Sequence, residues 1–180
     1  MELLTDDLID FSIYEEETDT KERIKPASVW VTELIENLRS PQSVKQQVMP
    51  WAKTHGLVQF RPGEVTVWGG ANGAGKSLIT GMIALNLIAQ DQPVCIASFE
   101  MKPRKTIERM ARQWSGFNPQ DPAFAGSNEA KASLIDVYQQ FRNWANTLYL
   151  YDQQGTVTAK KVASVVRYCA TEKKVKHFFI

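Results

Sequence analysis

The chain has 180 residues, of which 43% are apolar and 23% are charged. This is the composition of an ordinary globular domain, and it excludes wholesale disorder, a collagen helix and a coiled coil. No apolar run approaches the roughly 18 residues of a membrane-spanning helix, the acidic N-terminus lacks the basic start of a signal peptide, and two cysteines are too few for a disulfide framework. We therefore expect a cytoplasmic protein with reduced thiols and no membrane partner.

Charge is distributed unevenly along the chain. Residues 1–28 contain nine acidic and three basic residues, which gives them a net charge of −6 and leaves +7 for residues 29–180. We predict that residues 1–28 form an acidic arm with room for one short helix near its start. The positive net charge of residues 29–180 is compatible with binding a polyanion such as a nucleotide or a nucleic acid. The simpler interpretation is a solvated acidic arm beside a mildly basic domain.

A helical linker is predicted over residues 27–53. Its first helix spans residues 27–40, where Ser28 can act as the N-cap and four apolar residues share one face at helical spacing. These four are Val31, Leu34, Ile35 and Leu38. Pro41 ends this helix, and a second short helix is predicted over residues 43–53. The apolar face either covers the rest of the chain or docks onto another subunit, and the sequence leaves both open.

Residues 54–180 alternate between short apolar segments and helical patterns. Strands are predicted over residues 64–70, 94–100, 148–152 and 176–180. Helices are predicted over residues 77–90, 103–116, 127–146 and 158–173. Such alternation indicates βαβ crossovers and a parallel sheet, and strands this apolar suit a sheet that helices cover on both faces. We therefore predict an α/β fold of three layers with a mostly parallel sheet, preceded by an N-terminal helical arm.

One motif carries recognisable chemistry. Between the first predicted strand and the following helix, the run GANGAGKS fits the P-loop pattern G-x-x-x-x-G-K-[ST]. Its residues are Gly70, Ala71, Asn72, Gly73, Ala74, Gly75, Lys76 and Ser77. Glycines let the backbone N–H groups point together at a phosphate, and the helix N-terminus adds positive potential there. We predict that the loop binds ATP, with Lys76 acting catalytically at the β- and γ-phosphates and Ser77 ligating Mg²⁺. The alternative is a glycine-rich turn that binds nothing.

Glu100 is the second candidate site residue. It lies just past the carboxyl end of the strand residues 94–98, and ligands of open α/β sheets bind beyond the carboxyl ends of the strands. A carboxylate there can polarise a water for attack on the γ-phosphate, although a solvated Glu is common at a strand end. A basic cluster follows, which either touches nucleic-acid phosphates or forms a solvated helix face. Its residues are Lys102, Arg104, Lys105, Arg109 and Arg112.

Residues 60–110 resemble the RecA-type ATPases of the replicative-helicase group, which includes DnaB-type, Twinkle-type and phage primase–helicase proteins. The resemblance depends on the RPGE lead-in, the P-loop that follows it, and the run Ser98-Phe99-Glu100-Met101. It implies a RecA-like core over residues 54–180 in which Glu100 activates the attacking water. It also implies a hexamer that couples ATP hydrolysis to translocation on single-stranded DNA, with the helix over residues 27–40 docking onto a neighbouring subunit.

The chain departs from this family at its end. The run KHFFI resembles the Walker B strand, but the sequence stops at Ile180 before the Asp that should follow. In this family the sensor strand, which lies between the P-loop and Walker B strands, comes later, as do the DNA-binding loops and the trans-acting arginine. We therefore expect a fragment with an incomplete core, DNA contacts beyond Ile180, and little or no ATP turnover by the 180 residues alone.

Two functions remain open at this point. The first is the ATP-binding motor domain of a hexameric replicative helicase, a DNA-dependent nucleoside-triphosphatase. The second is a RecA-like regulatory protein or inactive remnant that binds nucleotide without unwinding DNA. A phosphotransferase is disfavoured because no arginine cluster of the lid type follows a glycine-containing helix. An Asp encoded directly after Ile180 would support the motor, and a stop codon there would support the second function.

Overall fold

Two buried apolar segments form the centre of the sheet in the computed structural model. The structure describes residues 2–4, 9–14, 26–39, 47–118, 121–122, 127–144 and 146–180. Within these ranges the strands are β1 (Glu2–Leu4), β2 (Val94–Ala97), β3 (Leu148–Tyr151) and β4 (His177–Phe179). The helices are α1 (Ala27–Arg39), α2 (Lys76–Ile88), α3 (Pro103–Ser115), α4 (Asn128–Asn143) and α5 (Ala159–Thr171).

The four strands are all parallel and lie in the order β1-β3-β2-β4. Val94 of β2 is aligned with Leu148 on one side and with His177 on the other. Because β3 is buried along its whole length and β2 along most of it, these two strands must satisfy their backbone groups within the sheet. The predicted α/β class with a parallel sheet is confirmed, as are the strands predicted near residues 94, 148 and 176.

Alternate residues of β2 and β3 enter two separate apolar clusters. On one face, Val94 and Leu148 pack with residues of α2, α3 and α4. On the other, Cys95 and Tyr149 pack with residues of α5 and with Phe11. The period of two residues in a strand therefore places helices on both sides of the sheet.

The four helices after residue 75 lie where the sequence predicts them, with ends that differ by at most three residues. Local capping explains two of the starts. The Ser127 hydroxyl accepts a hydrogen bond from the Ala130 N–H before α4, and the Thr158 hydroxyl accepts one from the Lys161 N–H before α5. Gly116, at φ 71°, ends α3 in the left-handed conformation that glycine adopts most readily.

The acidic arm differs from its prediction. Instead of a helix at the start, residues 2–4 form β1 and pair with the outer edge of β3, and residues 11–14 form a 3₁₀ turn. Phe11 is only 5% exposed. Its ring lies edge-on to Tyr151 and Tyr168 at 6.5 and 6.2 Å between centroids, and the Lys161 ammonium lies 3.6 Å from its centre. The free edge of β3 and the aromatic contacts of Phe11 therefore outweigh the local helical preference of the arm. Residues 15–25 of the arm lie outside the described ranges.

The second predicted linker helix, over residues 43–53, is wrong where the structure describes it; residues 43–46 lie outside the described ranges. Residues 47–51 are not helical, and only Ala52–Thr54 forms a 3₁₀ turn. The Gln90 side chain explains this, because it accepts a hydrogen bond from the Val48 N–H and donates one to the Val48 carbonyl. Met49 is buried in the cluster with α2, so packing onto this helix replaces helix formation.

The predicted strand over residues 64–70 is also wrong, because the segment pairs with no described strand. Val65 and Val67 are 89% and 84% exposed. Phe60, just before the segment, lies edge-on to His177 at the start of β4, and Ser77, just after it, lines a cavity together with Phe179 at the end of β4. The segment therefore lies outside the sheet that the described strands form. An alternating pattern forms a strand only where a neighbouring edge accepts its hydrogen bonds.

Helix α1 confirms the prediction over residues 27–40, although it begins at Ala27, one residue before the predicted cap. All of its described side chains are exposed, including those of Trp30, Leu34 and Leu38. None of the helices in the described ranges is long and apolar enough to cross a membrane.

We expect Phe11→Ala to release the arm while leaving the rest of the fold in place. The substitution removes the ring contacts to Tyr151 and Tyr168, and three residues of β1 are too few to hold the arm by pairing alone. Amide hydrogen exchange of residues 2–4 should become much faster. Ile13→Ala is the matched control because Ile13 is 68% exposed. Equal protection of residues 2–4 in both variants would show that Phe11 does not anchor the arm.

Candidate functional site

The P-loop leads directly into the N-terminus of α2. Gly73 and Gly75 have φ values of 79° and 83°, in the left-handed region where a side chain would be strained. Gly75 is the N-cap residue and has no side chain to cap the first N–H groups of α2, although its carbonyl accepts a hydrogen bond from the Leu78 N–H at 2.9 Å. The Ala74 N–H donates to the Ala71 carbonyl at 3.2 Å and tightens the loop. The helix therefore begins with free N–H groups and positive potential facing an exposed loop, which is an arrangement that binds anions.

Lys76 closes this loop with its side chain. Its ammonium donates hydrogen bonds to the carbonyls of Gly70 and Ala71 at 2.7 and 2.9 Å. Both partners are neutral, so a phosphate offers the ammonium a stronger, charge-assisted bond at the same place. Two glycines at positive φ, an uncapped helix end and this lysine together suit a polyphosphate.

A cavity of about 300 Å³ brings the other two candidate residues together. Ser77, in the first turn of α2, and Glu100, beyond the end of β2, both line it. Glu100 lies just past the end of its strand, as the sequence predicts: β2 ends at Ala97, and Glu100 lies in the loop that follows. Ser77 and Glu100 thus belong to one cavity, next to the loop that Lys76 closes.

The loop that carries Glu100 is held by its neighbours. The Ser98 hydroxyl accepts a hydrogen bond from the Met101 N–H at 3.1 Å, and the Phe99 carbonyl accepts one from the Gly155 N–H at 3.1 Å. The Phe99 ring also lies edge-on to Tyr151 at 6.4 Å. These contacts point Phe99 toward the sheet and leave Glu100 exposed, where its carboxylate can reach a water or a ligand.

In the described ranges, no cluster of three or more His, Cys, Asp and Glu side chains could hold a metal ion by itself. Mg²⁺ accepts a site of few protein ligands, because it retains waters and binds substrate phosphates. The Ser77 hydroxyl, beside the same cavity as Glu100, fits such a site only together with a bound triphosphate.

The basic cluster divides into two parts. Arg104 and Lys105 form ion pairs with Glu108 at 3.0 and 2.8 Å, and the hydrogen bond from Lys105 lowers the pKa of the Glu108 carboxyl. These residues behave as a solvated helix face. Arg109 differs because it lines the cavity with Glu100.

Two further cavity residues, Thr106 and Gln113, were not singled out by sequence reasoning. Both lie on α3, seven positions apart and hence on one helix face. The sequence shows this spacing, but it does not show which other element of the fold packs against that face of α3.

Neither the protein-family models nor the curated proteins give a match to this chain. The assignment of a function therefore depends on the motif and on the geometry around it.

Proposed function

We propose that the chain is the ATP-binding part of the motor domain of a hexameric, RecA-type replicative DNA helicase, in which ATP hydrolysis drives translocation on single-stranded DNA. One observation carries the proposal: the P-loop at the N-terminus of α2 adjoins a cavity that holds both Ser77 and Glu100. A phosphate-binding loop, a hydroxyl ligand for Mg²⁺ and a carboxylate for the attacking water are the parts that such an ATPase needs.

Binding would begin at the loop. The N–H groups at the start of α2 and the Lys76 ammonium would hold the β- and γ-phosphates, with Lys76 exchanging its carbonyl partners for phosphate oxygens. Bound Mg²⁺ supplies neutralisation of the phosphate charge. Ser77 would orient the ion through its hydroxyl, and Glu100 would accept a proton from a water placed in the cavity.

The unpaired segment over residues 64–70 supports the RecA type among P-loop folds. In the resembled family another strand lies between the P-loop strand and the strand that β4 resembles. Among the described strands β4 pairs only with β2, and residues 64–70 pair with none of them. Residues beyond Ile180 would supply that strand and the contacts to single-stranded DNA.

The same observation favours the second candidate function. A P-loop segment outside the sheet is less firmly held than one inside it, and fast phosphoryl transfer needs fixed geometry. On these grounds the 180 residues would act as a nucleotide-binding regulatory protein or an inactive remnant without helicase activity. Nucleotide binding is common to both functions, and hydrolysis separates them.

Lys76→Ala should weaken the binding of Mg·ATP about ten- to hundredfold. One charge-assisted hydrogen bond to phosphate contributes about 1.5–3 kcal/mol, and the variant loses it. Isothermal titration calorimetry measures the affinity directly. Lys53→Ala is the control, because it removes an equal charge from a short 3₁₀ turn away from the loop. If both variants bind Mg·ATP as tightly as the unaltered chain, the P-loop assignment is wrong.

In a version of the protein extended past Ile180, Glu100→Gln should leave the affinity for Mg·ATP nearly unchanged and slow hydrolysis about 10²–10⁴-fold, since the amide cannot take a proton from water. Phosphate release with protein in excess over ATP detects even slow single turnovers. Glu64→Gln is the control, because Glu64 is an exposed carboxylate paired with Arg61. Equal rates for the unaltered chain and Glu100→Gln, with Lys76→Ala slower than both, would contradict a catalytic Glu100.

Leu34→Ser combined with Leu38→Ser should reduce self-association of the chain. These side chains are 63% and 82% exposed on α1, and an apolar face of this kind requires a partner surface. Sedimentation velocity over a range of concentrations gives the mass distribution. Leu57→Ser removes an equally exposed leucine outside α1 and serves as the control. If the double variant and the control assemble alike, α1 is not a subunit contact.

A further inference from the structure

Arg109 is a cation of α3 that no acidic side chain neutralises within the described ranges. Arg104 and Lys105, on the same helix, both form ion pairs with Glu108. Arg109 forms neither an ion pair nor a side-chain hydrogen bond with any residue that the structure describes. It is exposed to solvent and also lines the cavity that holds Glu100. Its guanidinium is therefore available to an anion that enters this cavity.

The spacing along α3 explains how an exposed arginine comes to line a cavity. Thr106, three positions before Arg109, and Gln113, four positions after it, also line the cavity, so these residues share one face of the helix. Thr106 is only 6% exposed, and the adjacent Met110 only 2%. The base of the Arg109 side chain therefore belongs to a packed helix face. The apolar stem runs along the cavity wall, and the charged end reaches solvent.

The charges of the cavity lining call for a cation beside a bound triphosphate. Ser77 and Glu100 line the cavity, and in the proposed function the γ-phosphate lies between the Mg²⁺ at Ser77 and the water at Glu100. The Glu100 carboxylate repels a phosphate at short range. Arg109 carries the other charged side chain of the lining, and its charge is of opposite sign. A guanidinium presents a planar set of donors that matches phosphate oxygens.

We propose that Arg109 binds the γ-phosphate of the ATP held by the P-loop of the same chain, and thereby distinguishes ATP from ADP. This inference rests on the proposed function. Neither Lys76 nor the P-loop glycines line the cavity, so Arg109 approaches the nucleotide from another side than they do. Lys76 serves the β- and γ-phosphates together, whereas Arg109 serves the γ-phosphate alone. Once the γ-phosphate has left, Arg109 contributes nothing to the affinity for the remaining ADP.

The test compares a triphosphate with a diphosphate by isothermal titration calorimetry, using Mg·ADP and the non-hydrolysable Mg·AMP-PNP. Arg109→Gln should weaken the binding of Mg·AMP-PNP about ten- to hundredfold, the effect of one charge-assisted contact, and should leave the affinity for Mg·ADP unchanged. Arg109→Lys keeps the charge without the planar set of donors, so its affinity for Mg·AMP-PNP should be intermediate. Arg104→Gln is the matched control. It removes an equal charge from an exposed residue of α3 that does not line the cavity, and it should bind both nucleotides as the unaltered chain does.

Lys76→Ala separates failure of this proposal from failure of the nucleotide site, because it should weaken the binding of both nucleotides. If Lys76→Ala does so, and Arg109→Gln either changes neither affinity or lowers both equally, the assignment of Arg109 is wrong while the P-loop site stands. An equal loss of Mg·AMP-PNP affinity in Arg104→Gln and Arg109→Gln would also overturn the proposal, since it would show a general effect of charge. If the unaltered chain binds neither nucleotide, the nucleotide site fails, and the role of Arg109 fails with it.

Discussion

Strand β2 must form backbone hydrogen bonds along both of its edges, because most of its side chains are buried between two layers of helices. Pairing with β3 on one side and β4 on the other satisfies this requirement. The rest of the described structure is arranged around it. The residues of α2 and α3 cover one face of β2 and those of α5 the other, and the end of β2 determines where Glu100 and the cavity lie.

Elements whose signals are local could be predicted from the sequence, and elements that depend on a distant partner could not. Helices α4 and α5 have their own caps at Ser127 and Thr158, and β2 and β3 are apolar enough to require burial. Residues 64–70 have an equally good strand pattern, but no described edge accepts it. Residues 2–4 have a weaker pattern and do form a strand, because β3 offers them a free edge.

The candidate site likewise contains local features, which the sequence predicts, and features that depend on packing between helices, which it does not. The glycines at residues 73 and 75 predict a phosphate-binding loop, because their positive φ values and the start of α2 are properties of adjacent residues. The contact of Gln113 with α2 is a property of how closely α3 packs against α2 at Gly81. A sequence shows that Thr106 and Gln113 share a helix face, but the distance between two helices is decided by every side chain in their interface.

Val48 is held through its backbone and not through its side chain. Gln90 and Asn86 bind the peptide groups of Val48, while the valine side chain is partly open to solvent. The identity of residue 48 is therefore nearly free to drift during evolution, except that proline would remove the N–H group that Gln90 binds. Position 90 has no such freedom, since only an amide side chain of that length both donates and accepts there. The selective pressure for this contact therefore falls on a glutamine just beyond the end of α2, more than forty residues from the segment that it holds.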